Sequence, residues 1–380
     1  MKLEQYQWTP TRGWDQPPER STFGASAQLA LLFGRGSLVE ASQCAPLVRR
    51  AFPNAHLFGC STGGEILSEQ VGDDTLALTL VSFEHSRVET SRATIGADGS
   101  FAAGQEVVRR LDPHGLRHVF VLSEGLEVDS SAMVRGINEA VPPGVTVSGG
   151  FAADGNRFEV THVWSSGCPE RGTAVAIGLY GERLRIGVSV TGGWGPFGPD
   201  RVITKARGNV LYEFDGRPAL ALYKKYLGEH SIGLPATGLS FPLELRTGAA
   251  GESRVLRSLL AVDEEAQSIT FAGDVPEGAT ARFMVGHIED LIDGSAGAAT
   301  RSLAGFGDVG PELSLIVSCN ARRAVLKQRV DEEIEAVRSA LGASTTLAGF
   351  YSYGEIAPPH LGVGTELHNE TMTITNLAEV

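Results

Sequence analysis

The sequence predicts an α/β fold: two related modules of mixed sheets and helices, the product of an internal duplication. Three observations carry that expectation. The segment Leu57–Ile66 (LFGCSTGGEI) returns near the other end of the chain as Leu347–Ile356 (LAGFYSYGEI), and a looser copy, Thr146–Gly155 (TVSGGFAADG), lies between them. Apolar runs of strand length alternate with segments of helical period in both halves. At 380 residues and 42% hydrophobic content, the chain is too long for one ordinary core and rich enough to fill two.

Residues 1–24 read as an N-terminal arm that packs through Trp8 and Trp14, residues 25–200 as the first module and 201–380 as the second. Strand Gln28–Phe33 ends at Gly34-Arg35-Gly36. The following helix carries Cys44, Leu47, Val48, Ala51 and Phe52 on one stripe and stops at Pro53. Strands His56–Gly59, Thr75–Phe83 and Val88–Ile95 follow, then a helix bearing Phe101, Val107, Val108 and Leu111. Strand His118–Leu122 leads to a helix capped near Asp129 or Ser130 that presents Met133, Val134, Ile137 and Val141. Strands then fall at Val145–Ser148, near Glu159–Trp164, and at Thr173–Leu179 and Leu184–Val190.

The Gly- and Pro-dense stretch Thr191–Pro199 reads as a domain junction or ordered loop. Beyond it lie strands Val202–Lys205 and Val210–Phe214, and a helix opened by Pro218 that carries Leu220, Tyr223 and Leu227. Strands are expected at Phe241–Leu245, Arg254–Val262, Ser268–Phe271 and Ala281–Gly286, with a helix from near Ile288. Strand Leu315–Val317 precedes a helix with Leu326, Val330, Ile334, Val337 and Leu341 on one face; Thr346–Gly349 and Thr371–Asn376 close the module.

A formal charge of −13 argues against a nucleic-acid partner, and the Arg109-Arg110 and Arg322-Arg323 pairs read as solvated helix faces. Cys44, Cys60, Cys168 and Cys319 are scattered without zinc-like spacing, which fits a reducing cytosol. The N-terminus has no signal-peptide core, and no apolar run reaches the roughly 18 residues of a spanning helix. A cytoplasmic protein without membrane insertion is expected.

Gly59-Cys60-Ser61-Thr62-Gly63 fits the G-x-S-x-G elbow of serine hydrolases, with Ser61 as nucleophile. That mechanism needs a helix after the turn, and here another strand follows, so a glycine-rich turn against a ligand or neighbouring backbone is the better reading. Glu65 and Glu355 suit either a ligand amine or the loop amides, the second being favoured. Ser61, Thr62, Gly63, Glu65, Tyr351, Ser352 and Glu355 are therefore candidate ligand contacts, as are Trp194 and Phe197 between glycines and prolines and His287 at a strand end. Cys168-Pro169 reads as a plain turn ahead of a thiolate ligand for haem, and Cys60 and Cys319, with no base or cation near them in sequence, read as inert cysteines ahead of redox-sensitive thiols.

The motifs Gly59–Ile66, Gly149–Gly155, Gly216–Leu220 with Tyr223, and Gly349–Ile356 together resemble FIST domain proteins, a FIST N module followed by a FIST C module. The resemblance implies a sensory role with small ligands such as amino acids. Gly193–Pro199 and Tyr223–Pro235 look like the haem-binding NosP branch, which implies haem b, nitric-oxide sensing and a histidine kinase as separate partner. Within that branch reading, His230 is the expected iron ligand, with Tyr223, Lys224, Lys225 and Phe241 around the porphyrin. The two modules consume the chain, so a stand-alone sensor, possible as a homo-oligomer, is expected. The alternatives are a haem-free FIST sensor of an amino acid or other metabolite, and a serine hydrolase.

Overall fold

Three mixed sheets share one plan in the computed structural model, which describes residues 1–380 apart from 166–167, 248–252, 308 and 361. In the first sheet, Leu29–Gly34 lies parallel to His56–Cys60 on one side and antiparallel to Leu76–Ser82 on the other, with Lys2–Thr9 beyond. In the second, Leu116–Ser123 lies between parallel Thr146–Phe151 and antiparallel Thr173–Tyr180, with Arg87–Thr94 beyond. In the third, Leu313–Cys319 lies between parallel Thr346–Ser352 and antiparallel Met372–Glu379, with Leu184–Thr191 beyond. The α/β class, mixed sheets and internal repetition match the expectation, and the repeating unit is shorter than a half-chain.

Each unit also lends a segment to a neighbour. Glu65–Leu67 and Gln70–Gly72, which follow the first unit's second parallel strand, pair onto Thr346–Ser352 of the third. Gly354–Ala357 and Glu366–His368 of the third pair onto Thr146–Phe151 of the second. Val163–Trp164 of the second pairs onto His56–Cys60 of the first. The exchange runs in a closed ring, and the two Gly-Glu-Ile copies supply two of its three crossings.

Burial on both faces explains why the strands are continuous apolar runs. Leu31 and Phe33, Phe120 and Leu122, and Leu315 and Val317 point into one central core drawn from all three sheets. There Phe33 stacks on Phe350, ring centroids 4.9 Å apart. The intervening residues Leu32, Val121 and Ile316 face outward beneath helices. Cys44–Ala51 covers the first sheet, Gly99–Arg109 and Ser130–Ala140 the second, and Ile288–Ser302 with Val330–Leu341 the third.

Between Leu184–Thr191 and Ile288–Ser302 the third unit carries an inserted β-rich unit with its own core, built on strands from Trp194–Arg207 to Thr280–Gly286 and the helix Ala219–Leu227. The Thr191–Pro199 junction is therefore largely strand, and the boundary drawn between residues 200 and 201 falls inside Trp194–Arg207. In the N-terminal segment, Lys2–Thr9 is a strand of the first sheet, paired with Leu76–Ser82. The helix expected through Leu326 and Leu341 is two helices, Asn320–Leu326 and Val330–Leu341, because Lys327 takes a positive φ of 53° and turns the chain between them. Arg322 is not on a solvated face: it is fully buried.

The glycine shared by the three sequence copies has one cause. A Cβ on Gly59, Gly149 or Gly349 would lie 1.7, 1.9 and 1.9 Å from the carbonyl oxygens of Leu32, Val121 and Ile316, their partners on the parallel neighbour. The parallel strands meet too closely for any side chain. Gly349→Ala is thus expected to lower stability by about 3 kcal/mol or more. Gly297→Ala, inside the Ile288–Ser302 helix and facing only the flexible end of Arg301, should be neutral or gain up to ~1 kcal/mol. Urea denaturation of both variants checks the contrast.

Candidate functional site

The second parallel strand of each unit ends on the same rim, where open α/β sheets hold ligands. Two clefts open there and share Asn320. One, of about 630 Å³, gathers Thr62, Gly63, Gly64 and Glu65 from the first unit, Asn156 and Arg157 from the second, and Arg323 and Lys327 from the third. Arg323 holds Asp73 through both terminal nitrogens, and Arg35 holds Asp74 at 2.8 Å.

The other cleft, about 610 Å³, lies between the three-sheet frame and the inserted unit. The frame contributes the Gly125–Ser131 turn, Cys319–Ala321 and Ser352-Tyr353; the insertion contributes Asn209, Ser258, Leu260 and Phe271–Asp274. Asp129 caps the Ser130–Ala140 helix by accepting the Ala132 N–H. Buried Glu124 shapes the turn by accepting the N–H groups of Leu126 and Glu127 and the Thr161 hydroxyl.

The crossing strands put one carboxyl group, Glu65, in the wall of the first cleft and another, Glu355, behind the second. Thr62 and Thr75 donate to Glu65 at 2.7 and 2.8 Å. Ser352 and Thr371 donate to Glu355 at 2.6 and 2.8 Å, and the Thr371 N–H adds a third bond at 3.2 Å. Beside it, Glu370 accepts the Ser258 hydroxyl at 2.5 Å, while its other oxygen, Oε2, has no partner. Burial pushes Glu65 up to about 7 and Glu355 up to about 8, against the pull of their hydroxyl donors. Burial, reinforced by the Glu355 charge, takes Glu370 up to about 8 as well.

The sequence candidates divide between these places. Thr62, Gly63 and Glu65 line the first cleft and Ser352 the second, with Glu355 directly behind Ser352. Tyr351 is buried away from both, its hydroxyl given to Glu333. Ser61 is buried and its Oγ accepts the backbone N–H of His162 at 2.9 Å; with a strand rather than a helix after the turn, the elbow geometry of a serine nucleophile is missing. Trp194 is buried core, donating to the Glu370 carbonyl at 2.6 Å, and Phe197 packs against Tyr226 and Phe241. His287 is the exposed residue preceding the Ile288–Ser302 helix. Burial drives the Cys60 and Cys319 thiols well above their ordinary range, which makes both poor nucleophiles.

The haem set does not form a slot. Tyr223 is in the inserted unit's core with its hydroxyl on the Phe241 carbonyl, and Lys224 is paired with Glu264. Lys225 and His230 are exposed, the His230 ring resting 5.4 Å from that of Phe241. Neither rim cleft includes any of the five. Among the described residues no group of three or more His, Cys, Asp or Glu side chains is placed to hold a metal ion, and no helix is long and apolar enough to cross a membrane.

Asn320, Tyr353, Phe158, Ser258 and Glu370 were not singled out from the sequence. The signal for the first lay in aligning Ser318-Cys319-Asn320 with Ser123-Glu124-Gly125 as matching strand ends; nothing local marks the rest.

Comparison with known families decides the assignment: a FIST N domain model matches residues 28–217 and a FIST C domain model residues 219–358. The chain belongs to the FIST family. FIST domains are sensory, which gives this protein a sensory, ligand-binding role. An uncharacterized protein of Mycobacterium tuberculosis is 26% identical over 346 residues, 88% of each chain. An uncharacterized protein of Mycobacterium bovis is 28% identical over 230 residues, 57% of this chain and 56% of its own. Among solved structures, a cyanuric acid hydrolase from A. caulinodans aligns over 100% of this chain and 98% of its own, at 9% identity and a TM-score of 0.38.

The raised carboxyls of this FIST protein set a pH dependence. Between about 4.5 and 8 the folded chain keeps the Glu355 proton that the unfolded chain releases, so stability falls as pH rises through that window. Glu355→Gln, which stays neutral, should match the parent near pH 5 and exceed it near pH 9 by on the order of 3 kcal/mol. Denaturant midpoints at the two pH values test this; equal gaps at both would refute it.

Proposed function

We propose that this protein senses a small organic metabolite held in the cleft between the three-sheet frame and the inserted unit, and reports it to a separate signalling protein. The observation that carries the reading is the composition of that cleft. Its walls belong to two separately cored units, so a ligand there contacts both and favours one relative placement over another. A partner protein with different affinity for the two placements then reads the change. The volume, the mixture of hydroxyls with Leu260 and Phe271, and the exposed ring of Phe158 suit a metabolite-sized molecule. Haem has no part in the reading, since His230, Lys224 and Lys225 lie outside the cleft.

A thermal-shift screen of amino acids, amines and nucleobases on the full chain tests it. A ligand at about 100 times its Kd should add ~2.7 kcal/mol to stability. Leu260→Trp, at the half-exposed mouth, should abolish that shift while leaving the unliganded Tm near the parent's. A shift that survives the substitution would move the ligand elsewhere, and an absorption spectrum after haem reconstitution would then be the next measurement.

A further inference from the structure

Resting on that reading of the cleft, we propose that its ligand is an organic cation: an ammonium-type group on a flat or apolar body. Among the described residues lining the cleft, the charged side chains are Glu127, Asp129 and Asp274, and no Lys, Arg or His is present. Glu127 and Asp274 have their own surface partners, Arg171 and Arg135, and Asp129 is spent on the helix end. The lining therefore offers an anion no counter-charge and leaves the choice between neutral and cationic ligands to the floor.

The floor makes that choice. Ser258 and Ser352 line the cleft, and each hands its hydroxyl hydrogen to a fully buried carboxyl behind it, Glu370 and Glu355. Among the described residues neither carboxyl is paired with a cation: their partners are hydroxyls and one backbone N–H. The buried guanidinium nearby, Arg322, is held by Glu333, Ser295 and the carbonyls of Gly192 and Leu291. Glu370 also keeps one oxygen without any partner, on a residue whose φ of 63° is unusual for a non-glycine. Two carboxyls without a counter-ion, one hydroxyl away from a cleft without a basic residue, complement a positive charge in the cleft. The other wall supplies the flat surface: Phe158 and Tyr353 stack at 4.8 Å and 6°, with Phe158 half exposed, a geometry suited to cation–π contact and ring stacking.

A cation at the floor favours the ionised form of the carboxyls, which burial otherwise keeps protonated near neutrality. The charged or titratable groups facing the pair are Arg322, the Cys319 thiol and the Tyr223 phenol, together with each other. The two raised thiol and phenol groups stay protonated in this range, so the proton released on binding comes from the carboxyl pair.

The test is calorimetry on the full chain at pH 7.5 with 2-phenylethylamine, 2-phenylethanol and phenylacetate, repeated in two buffers of different ionisation enthalpy. The amine should bind at least tenfold more tightly than the alcohol, phenylacetate should not bind, and the amine's heat should report proton release. Glu370→Gln keeps the neutral shape and the Ser258 bond; it should weaken the amine about tenfold and reduce the proton release, with its Tm at pH 5 unchanged. Equal binding of alcohol and amine, tight binding of phenylacetate, or an unaffected Glu370→Gln would each overturn the cation assignment. If phenylacetate binds and Leu260→Trp removes it, the cleft remains the ligand site while the cation assignment falls. Silence from all three probes overturns the cation assignment alone, and the Leu260→Trp metabolite screen still judges the cleft.

Discussion

Arg322 and Glu333 form an ion pair with both side chains fully buried, and most of the third unit is fastened to it. The guanidinium reaches Glu333 at 2.8 and 3.2 Å, Ser295 at 2.8 Å and the Leu291 carbonyl at 2.8 Å, and it also holds the Gly192 carbonyl. Glu333 in turn accepts from Ser318 at 3.2 Å and from Tyr351. One charge pair thus ties three helices to the ends of both parallel strands and to the point where the chain leaves for the inserted unit. Removing one partner of such a pair strands the other without solvent or counter-ion, at a cost of about 3–5 kcal/mol. A well-packed apolar substitute for both could be as stable, so what the pair supplies is position. It fixes where Asn320, Tyr353 and the insertion stand relative to one another.

That position matters because the frame has no single sheet to organise around. Its three sheets are joined by the ring of exchanged strands, and two of the crossing strands, Glu65–Leu67 and Gly354–Ala357, begin just past the end of a parallel strand. The rim is consequently rich in backbone that has left one sheet and has not yet entered the next. Small residues are required at the closest approaches, Gly59, Gly149 and Gly349, and hydroxyl–carboxyl pairs satisfy the turns after two of them. The clefts are what the exchange leaves open.

Much of this was legible in the sequence because its causes are local. Alternating apolar runs gave the strands, and the 3.6 period gave most helices. The Gly-Glu-Ile echo marked equivalent strand ends because a steric constraint recurs there. The number of units was less visible: the second copy lacks Glu-Ile, its crossing segment is only Val163–Trp164, and the insertion separates Leu184–Thr191 from the rest of its unit. Lys327 could not be read as a helix break, since the apolar face continues across it. Arg322 could not be read as buried, because its partners Glu333 and Gly192 are set by packing rather than spacing. The second cleft escaped for the same reason: Ser258, Asn209 and Tyr353 meet only after the insertion folds back onto the frame.

The two clefts differ in the way their charge is managed, and that difference bears on which of them can act as a sensor. In the first, Arg323 and Arg35 are cross-linked to Asp73 and Asp74 from the turn ahead of Leu76–Ser82, so opposite charges close the frame upon itself. All its walls belong to the three-sheet frame. The second faces a unit with a separate core, and besides the Arg135–Asp274 ion pair at its edge the frame meets that unit through hydroxyls, an amide and carboxyls that no cation pairs with among the described residues. A ligand in the first cleft would find Arg35 and Arg323 already engaged and would touch the frame alone. The cation proposed for the second would complete an electrostatic set that the protein leaves unfinished, at the boundary between two separately cored units. The same buried carboxyls that cost stability as pH rises are what a bound charge would relieve, so binding energy and conformational bias arise from one interaction.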